Sequence, residues 1–233
     1  MIEKGYTISV LDHGFVRLID WMGDDKRIVE AARISYKSPS KGDEQDKKLL
    51  FFLYKNAHSS PFEQVNITFN IKMPIFVMRE FVRHRTFRLN ELSARYAPLP
   101  NEFYIPKEWR KQDNKNKQGS ISDEDFKNNG IQEWATSELD THCQHSYNLY
   151  EQMIKGGIAR EMARMILPVN IYTEIYVNCD IRNLMHFFNL RLSEKAQWEI
   201  RQIASGMFNI FKELYPWCAE AYNKYQFQMI EEK

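Results

Sequence analysis

Cysteine is scarce in this chain: Cys143, Cys179 and Cys218 are the only three in 233 residues, and they lie far apart. An odd, scattered set of thiols excludes a disulfide-stapled scaffold and fits a reducing compartment, where such residues serve as small buried side chains. Long apolar runs are lacking too; none nears the ~20 residues that a membrane-spanning helix needs. The start, Met1-Ile2-Glu3-Lys4, has no basic-then-apolar export pattern, so a cytoplasmic location is expected. Excess charge of either sign is absent: 32 Lys and Arg stand against 31 Asp and Glu. Bulk attraction to nucleic acid or to an anionic membrane is therefore not expected, and any anion must be recognised locally. The nine glycines form neither a dinucleotide fingerprint nor a Walker loop, since Gly156-Gly157 lacks the flanking glycines. A nucleotide cofactor would need a site unlike that of doubly wound folds.

What is present reads as an α+β protein, one domain over residues 1–233, with strands in both halves. Residues 6–10 and 15–19 form two short strands around the turn Asp12-His13-Gly14. Asp24-Asp25 caps a helix to about Tyr36, striped by Ile28, Ala31, Ala32 and Ser35. A second helix passes through residues 49–53. Residues 62–71 alternate as a strand, with Val65, Ile67, Phe69 and Ile71 on one side. Pro74 suits the first position of a helix to about Arg83. The polar stretch 109–122 is expected to be a mobile loop. Ser122-Asp123-Glu124-Asp125 resembles a capping box for a helical stretch that Asn128-Asn129-Gly130 interrupts, and the helix over 131–154 closes at Gly156-Gly157. Residues 171–177 form a strand. Asp180 caps a helix to about Leu192, and Ser193 caps another to about Tyr215.

Two constellations carry chemistry. Arg83-His84-Arg85 follows a helix that sets Arg79 and Arg83 one turn apart, and guanidinium forks suit phosphate; the same cluster also reads as a solvated helix end paired with Glu80 and Glu91. Arg182, His186 and Asn189, at i, i+4 and i+7, share one helix face, with Leu184, Phe188 and Arg191 on another. That helix either walls a cofactor pocket or is an ordinary amphipathic one. His142 and His145 bracket Cys143 without a second ligand pair nearby, a weak zinc pattern; no metal is expected. A basic stripe of Arg79, Arg83, Arg85, Arg88 and Arg95 would alternatively track a nucleic-acid backbone, which the near-neutral balance disfavours.

Arg83-His84-Arg85, seven residues and then Ser93, continuing through Asn90-Glu91-Leu92-Ser93-x-Arg95-Tyr96, resembles the signature of flavin-dependent thymidylate synthases. His58-x-x-Pro61-Phe62-Glu63, Glu102-Phe103-Tyr104-Ile105-Pro106, Ala163-Arg164-x-x-Leu167-Pro168, Arg182-x-Leu184-x-x-Phe187-x-x-Leu190-Arg191 and Ala196-Gln197-Trp198-Glu199-Ile200 extend the likeness over nearly the whole chain. The resemblance implies a homotetramer with a mixed sheet surrounded by helices and active sites between subunits. It implies methylation of dUMP to dTMP, with methylenetetrahydrofolate as carbon donor and NADPH-reduced FAD as hydride source. FAD would be held by Ser60, Arg83, His84, Arg85, Glu91, Asp180, Ile181, Arg182 and His186. The nucleotide would contact Glu80, Phe81, Val82, Arg83, Glu91, Leu92, Ser93, Ala94, Arg95, Arg164 and Arg191. Arg191 is the implied catalytic group, facing the uracil and favouring ionisation of its imide. Arg88, Ala94 and Glu80 depart from the residues frequent at those places.

Overall fold

In the computed structural model, which describes residues 2–128 and 130–225, five strands form one sheet in the order β1-β2-β3-β7-β4. In chain order the elements are β1 (Thr7–Val10), β2 (Gly14–Met22), α1 (Asp25–Arg33), α2 (Asp43–Lys55), β3 (Asn66–Pro74), α3 (Ile75–Phe81) and β4 (Arg88–Glu91). A two-stranded hairpin follows, β5 (Lys111–Gln112) and β6 (Ser120–Ile121), then α4 (Glu124–Lys127), α5 (Ile131–Lys155) and α6 (Arg160–Ala163). The chain continues through β7 (Tyr172–Asp180), α7 (Ile181–Arg191), α8 (Trp198–Leu214) and α9 (Pro216–Tyr225).

The α+β expectation holds, but the sheet is not mixed: every pairing is antiparallel. The reason lies in the connections. Helices α1 and α2 pack on one another and bring the chain back to the end of the sheet it left, so Met22 stands opposite Asn66. Strands β3 and β4 do run in the same direction, joined across α3. They would make a parallel pair as neighbours, but β7 lies between them and runs against both.

Alternation assigns the faces. Val16, Leu18, Ile67, Phe69, Ile71, Ile175, Val177 and Cys179 are buried on one face of the sheet. Under that face lie Ile203, Met207 and Ile210 of α8 with Leu184 and Phe188 of α7. The opposite face carries Arg17, Thr68, Lys72, Glu174, Tyr176 and Asn178, the one-sided pattern of an antiparallel sheet. Gly206 lets α8 approach closely: a Cβ there would stand 3.0 Å from Val16 and 3.2 Å from Val10.

Capping follows the sequence in most places. Asp24 accepts from the Arg27 amide at the start of α1, and its neighbour Asp25, buried, accepts from the Trp217 and Cys218 amides and so caps α9. Asp123 caps α4, and Gly156 and Gly157 close α5; Asn129 of the expected interruption lies outside the described residues. Four expectations shift. The strand expected from Phe62 begins at Asn66, because residues 62–64 form a 3-10 turn. Pro74 ends β3 and caps α3 rather than opening it. Ser193 accepts from the Lys195 amide in a turn of its own, and α8 starts only after Gln197. The 109–122 stretch is a paired hairpin whose polar side chains satisfy its own backbone; the Gln112 amide donates to the carbonyls of Asp113, Lys117 and Gly119. All three cysteines are free and buried.

Candidate functional site

The residues singled out from the sequence fall into three groups in the folded chain. The first joins α3 to α7. The Arg191 guanidinium donates from Nε to His84 Nε2 at 3.0 Å, from Nη1 to Glu80 Oε2 at 2.7 Å and from Nη2 to the Glu80 carbonyl at 3.0 Å. Arg191 comes from the face of α7 that periodicity assigns to Leu184 and Phe188, but it sits at the helix end and only half-buried, so it reaches sideways to Glu80. His84 lies in the turn after α3, packed edge-on against Phe187 at 4.7 Å and beside Phe87 at 5.7 Å. Phe81 packs on Phe187 at 5.1 Å and completes this aromatic seat. Glu80 and Arg191 open onto a cleft of about 910 Å³, whose other walls are the β5–β6 hairpin and residues 194–198.

Burial, with the positive charge of Arg191 and the nearby His186, pulls the His84 imidazole down from 6.5 to about 4. His84 is therefore neutral near pH 7, as an acceptor for Arg191 must be. The sign of the linkage follows. As pH falls, the unfolded chain takes the proton first, so the stability His84 contributes is complete above about pH 6.5 and is lost progressively toward about pH 4. Allowing for solvent screening, that loss is about 1–2 kcal/mol. Guanidinium unfolding at about pH 7 and about pH 5 checks it: His84→Gln should show a smaller pH-dependent decline than wild type, and equal declines would refute it.

The second group surrounds the start of α7. Asp180, buried, accepts from the amide and the side chain of Asn183, and this N-cap turns β7 into α7. Arg182 lies 3.7 Å from Glu63 and contacts Asn183 at 3.1 Å. Arg182, His186 and Asn189 share a face, as their spacing requires, and line a narrow cleft of about 130 Å³ with His58 and Ser59. Ser60 opens instead onto the adjoining groove beside Tyr36 and Gln64. Ile181 is fully buried in the core and presents no side chain to a ligand.

The third group lies along β4 and beyond. Glu91 accepts from the Thr173 hydroxyl at 2.8 Å, and the Leu92 amide donates to Glu174. Ser93 Oγ accepts from the Arg95 amide at 3.4 Å. Arg95 is 3.4 Å from the Glu161 carboxylate, and Arg164 donates to the Glu161 carbonyl at 3.4 Å, so Glu161 contacts both cations. Ala94 is buried against Leu99, Phe103, Cys143 and Ile171. Arg83 and Arg85 are exposed in the turn, without a hydrogen-bonded or ion-paired side-chain partner among the described residues. Phe81 is buried and Val82 half-buried, leaving chiefly backbone to offer.

The first two groups meet where His186 lies near His84, but the third stands apart from them within one chain. Glu91 stands opposite Ile175 in the ladder, five residues from Asp180; at about 3.3 Å per residue the two levels are roughly 17 Å apart. The cleft of Glu80 and Arg191 includes none of Ser93, Arg95 and Arg164. Sequence reading missed Glu161, whose exposed helical position carried no signal, and the hairpin wall. His142 and His145 are exposed, and no group of three His, Cys, Asp or Glu suited to a metal occurs among the described residues. No helix among them is long and apolar enough to cross a membrane.

Residues 17–217 match the family model described as thymidylate synthase complementing protein. A flavin-dependent thymidylate synthase of Thermus thermophilus is 47% identical over 94% of this chain and 79% of its own length. One from Thermosipho africanus is 44% identical over 94% of this chain and 95% of its own. Among solved structures, a UMP/dUMP methylase, PolB of Streptomyces cacaoi bound with 5-Br dUMP, superposes with a TM-score of 0.82 at 29% identity, covering 93% of this chain and 97% of that one.

Proposed function

The chain belongs to the flavin-dependent thymidylate synthase family, and from that premise we propose how its residues divide the work of methylating dUMP to dTMP with FAD. The observation that carries the assignment to a site is the Arg191 guanidinium, held in three directions by Glu80 and a neutral His84 at the wall of an open cleft. A preorganised cation there stabilises negative charge as it develops on a uracil imide, without reorganisation at the moment of reaction. The His84 ring accepts from Nε and fixes the plane of the fork. Glu80 aims it, through its carboxylate and its carbonyl.

The cofactor's requirements fit the residues present. A dinucleotide needs cations for its pyrophosphate and a flat, partly apolar slot for a ring. Arg83 and Arg85 offer exposed guanidinium groups without a side-chain partner among the described residues, and the narrow cleft of Arg182, His186 and Asn189 is backed by Leu53, Phe62 and Met185. Asp180 would act through its cap on α7, and Ser60 and Glu91 would add hydrogen bonds. Bound and reduced, FAD supplies the hydride that lets the reaction proceed without a cysteine nucleophile; burial raises the thiols of Cys143, Cys179 and Cys218, which are out of reach of any substrate.

The nucleotide's phosphate would lie with Ser93, Arg95 and Arg164, where two cations meet backbone amides of the 93–95 turn. NADPH and methylenetetrahydrofolate are the co-substrates in this reading, one domain of each chain contributes, and the reducing cytoplasm suits the free thiols. The ~17 Å between the level of Glu91 and the start of α7 supports a homotetramer whose sites draw on neighbouring chains.

Two experiments test this. Titration of FAD into the protein should give a saturable change in the visible flavin spectrum, and no change at all would defeat the reading. Ser93→Ala should weaken dUMP binding by about 1–2 kcal/mol while turnover at saturation persists, since among the described residues no base is hydrogen-bonded to the hydroxyl to make it a nucleophile. Loss of turnover with dUMP affinity intact, and a covalent adduct on Ser93 in the wild type, would contradict that role.

A further inference from the structure

Glu199 is a carboxylate with 2% of its surface exposed. It sits in the first turn of α8, where it accepts from the Tyr104 hydroxyl at 3.0 Å, from Gln197 at 3.0 Å and, at both carboxylate oxygens, from Arg110 Nη2 at 2.8 and 3.0 Å. Charges are buried this far only when paired and fully hydrogen-bonded. Arg110 immediately precedes β5, and its Nε donates to Ser120 Oγ at 2.9 Å on the opposite strand of the hairpin. One guanidinium thus ties both hairpin strands to α8, and it stacks over Trp198 at 5.6 Å. The adjacent Trp109 ties the same base to α5, through Gln132 at 2.8 Å and Thr136 at 3.0 Å. Beyond this base the hairpin holds itself together, and its polar tip faces Glu80 and Arg191 across the cleft of about 910 Å³.

We propose that Arg110 and Glu199 are positioning residues: they hold the 111–121 hairpin as the far wall of the Arg191 cleft, and that wall, with the side-chain amides of Asn116 and Gln118, sets how tightly dUMP is held there. Neither residue touches the reacting atoms in this arrangement. The inference rests on the thymidylate synthase reading for its substrate, not for its geometry. A wall that swings away costs ground-state binding and leaves the preorganised Arg191 fork intact, so the loss falls on KM rather than kcat.

The test compares wild type with Arg110→Gln, Arg110→Lys and Ser120→Ala, each loaded with FAD, measuring steady-state constants for dUMP and for methylenetetrahydrofolate and the rate of tryptic cleavage after Lys115 and Lys117 in the tip. Arg110→Gln is expected to raise KM for dUMP about tenfold with kcat within about threefold, and to speed cleavage about fivefold, with dUMP restoring protection. Arg110→Lys, a cation without the fork, should fall between Arg110→Gln and wild type. Ser120→Ala, which cuts one strand's tie and leaves the Glu199 pair, should show a smaller shift of the same kind. Faster cleavage with KM for dUMP unchanged would make the pair merely structural and overturn the proposal. So would a rise confined to the folate KM, or a fall in kcat alone. A wild type that forms no dTMP would instead refute the underlying reading, while the cleavage comparison would still report on the clamp.

Discussion

Replacing Arg191 by alanine is expected to lower dTMP formation by about 100- to 1000-fold, with FAD affinity changed far less. The magnitude is that of removing one preorganised donor from a site where charge develops. Geometry supports its being functional rather than structural. Arg191 is half-buried, its two η nitrogens and Nε are each directed by a separate acceptor, and besides joining α3 to α7 the fork lines an open cleft. Arg191→Lys keeps the charge but cannot reach His84 and Glu80 in the same plane, so most of the loss should persist. A single-turnover measurement of dTMP with FAD prereduced isolates the step. Turnover within about tenfold of wild type in Arg191→Ala would remove Arg191 from the chemistry and leave Glu80 and His84 without a purpose in it.

An equally large effect, in the opposite direction, is expected from mixing two inactive proteins. Arg83→Ala and Arg164→Ala chains, each inactive alone, should regain activity together once subunits have exchanged. Arg83 lies in the turn between α3 and β4, while Arg164 lies beyond α6, gathered with Arg95 by Glu161. Arg83, Arg85, Arg95, Arg164, Arg182 and Arg191 would repel one another in one small pocket without anionic ligands between them. If distributed over neighbouring chains, they would meet only where cofactor pyrophosphate and nucleotide phosphate neutralise them, and ligand binding would then stabilise the assembly by mass action. Random mixing places intact Arg83 and intact Arg164 together in some hybrid sites. Hybrid tetramers demonstrated by mass, with no activity recovered, would count against a shared site.

The sequence made the local elements legible where a single residue type performs a local task. Asp24, Asp123 and Asp180 each supply a carboxylate three residues before an amide; Asp24 and Asp180 cap as read, whereas Asp123 caps α4 one residue later than the capping box beginning at Ser122 implied. Alternation in residues 65–71 assigned a buried face correctly, because burial of one face is all that alternation encodes, and residues 171–177 fall within β7 as read. The placement of β7 between β3 and β4 was not legible, since it depends on pairing across about 100 residues that no local period records. The hairpin escaped for a related reason: two-residue strands carry no alternation, and its polar composition reads as loop. Ser193 misled because a hydroxyl that can cap a helix can equally close a short turn, as it does on Lys195.

The site divides the same way. Arg83-His84-Arg85 and the Arg182, His186 and Asn189 stripe were visible as spacing. That Arg191 locks onto His84, 107 positions away, was not. Glu199 could be read only as part of a motif; its partner Arg110 sits in a stretch with no pattern of its own. Long-range ion pairs of this kind are written in the fold, and a linear reading finds their members without finding the bond.

The most direct test of the account is the formation of dTMP from dUMP by the purified protein, with methylenetetrahydrofolate and NADPH, before and after removal of flavin. The account predicts dTMP with FAD present, none after flavin is stripped, and full recovery when FAD is returned. Undiminished dTMP formation by the flavin-free protein, or none under any of these conditions, would contradict it.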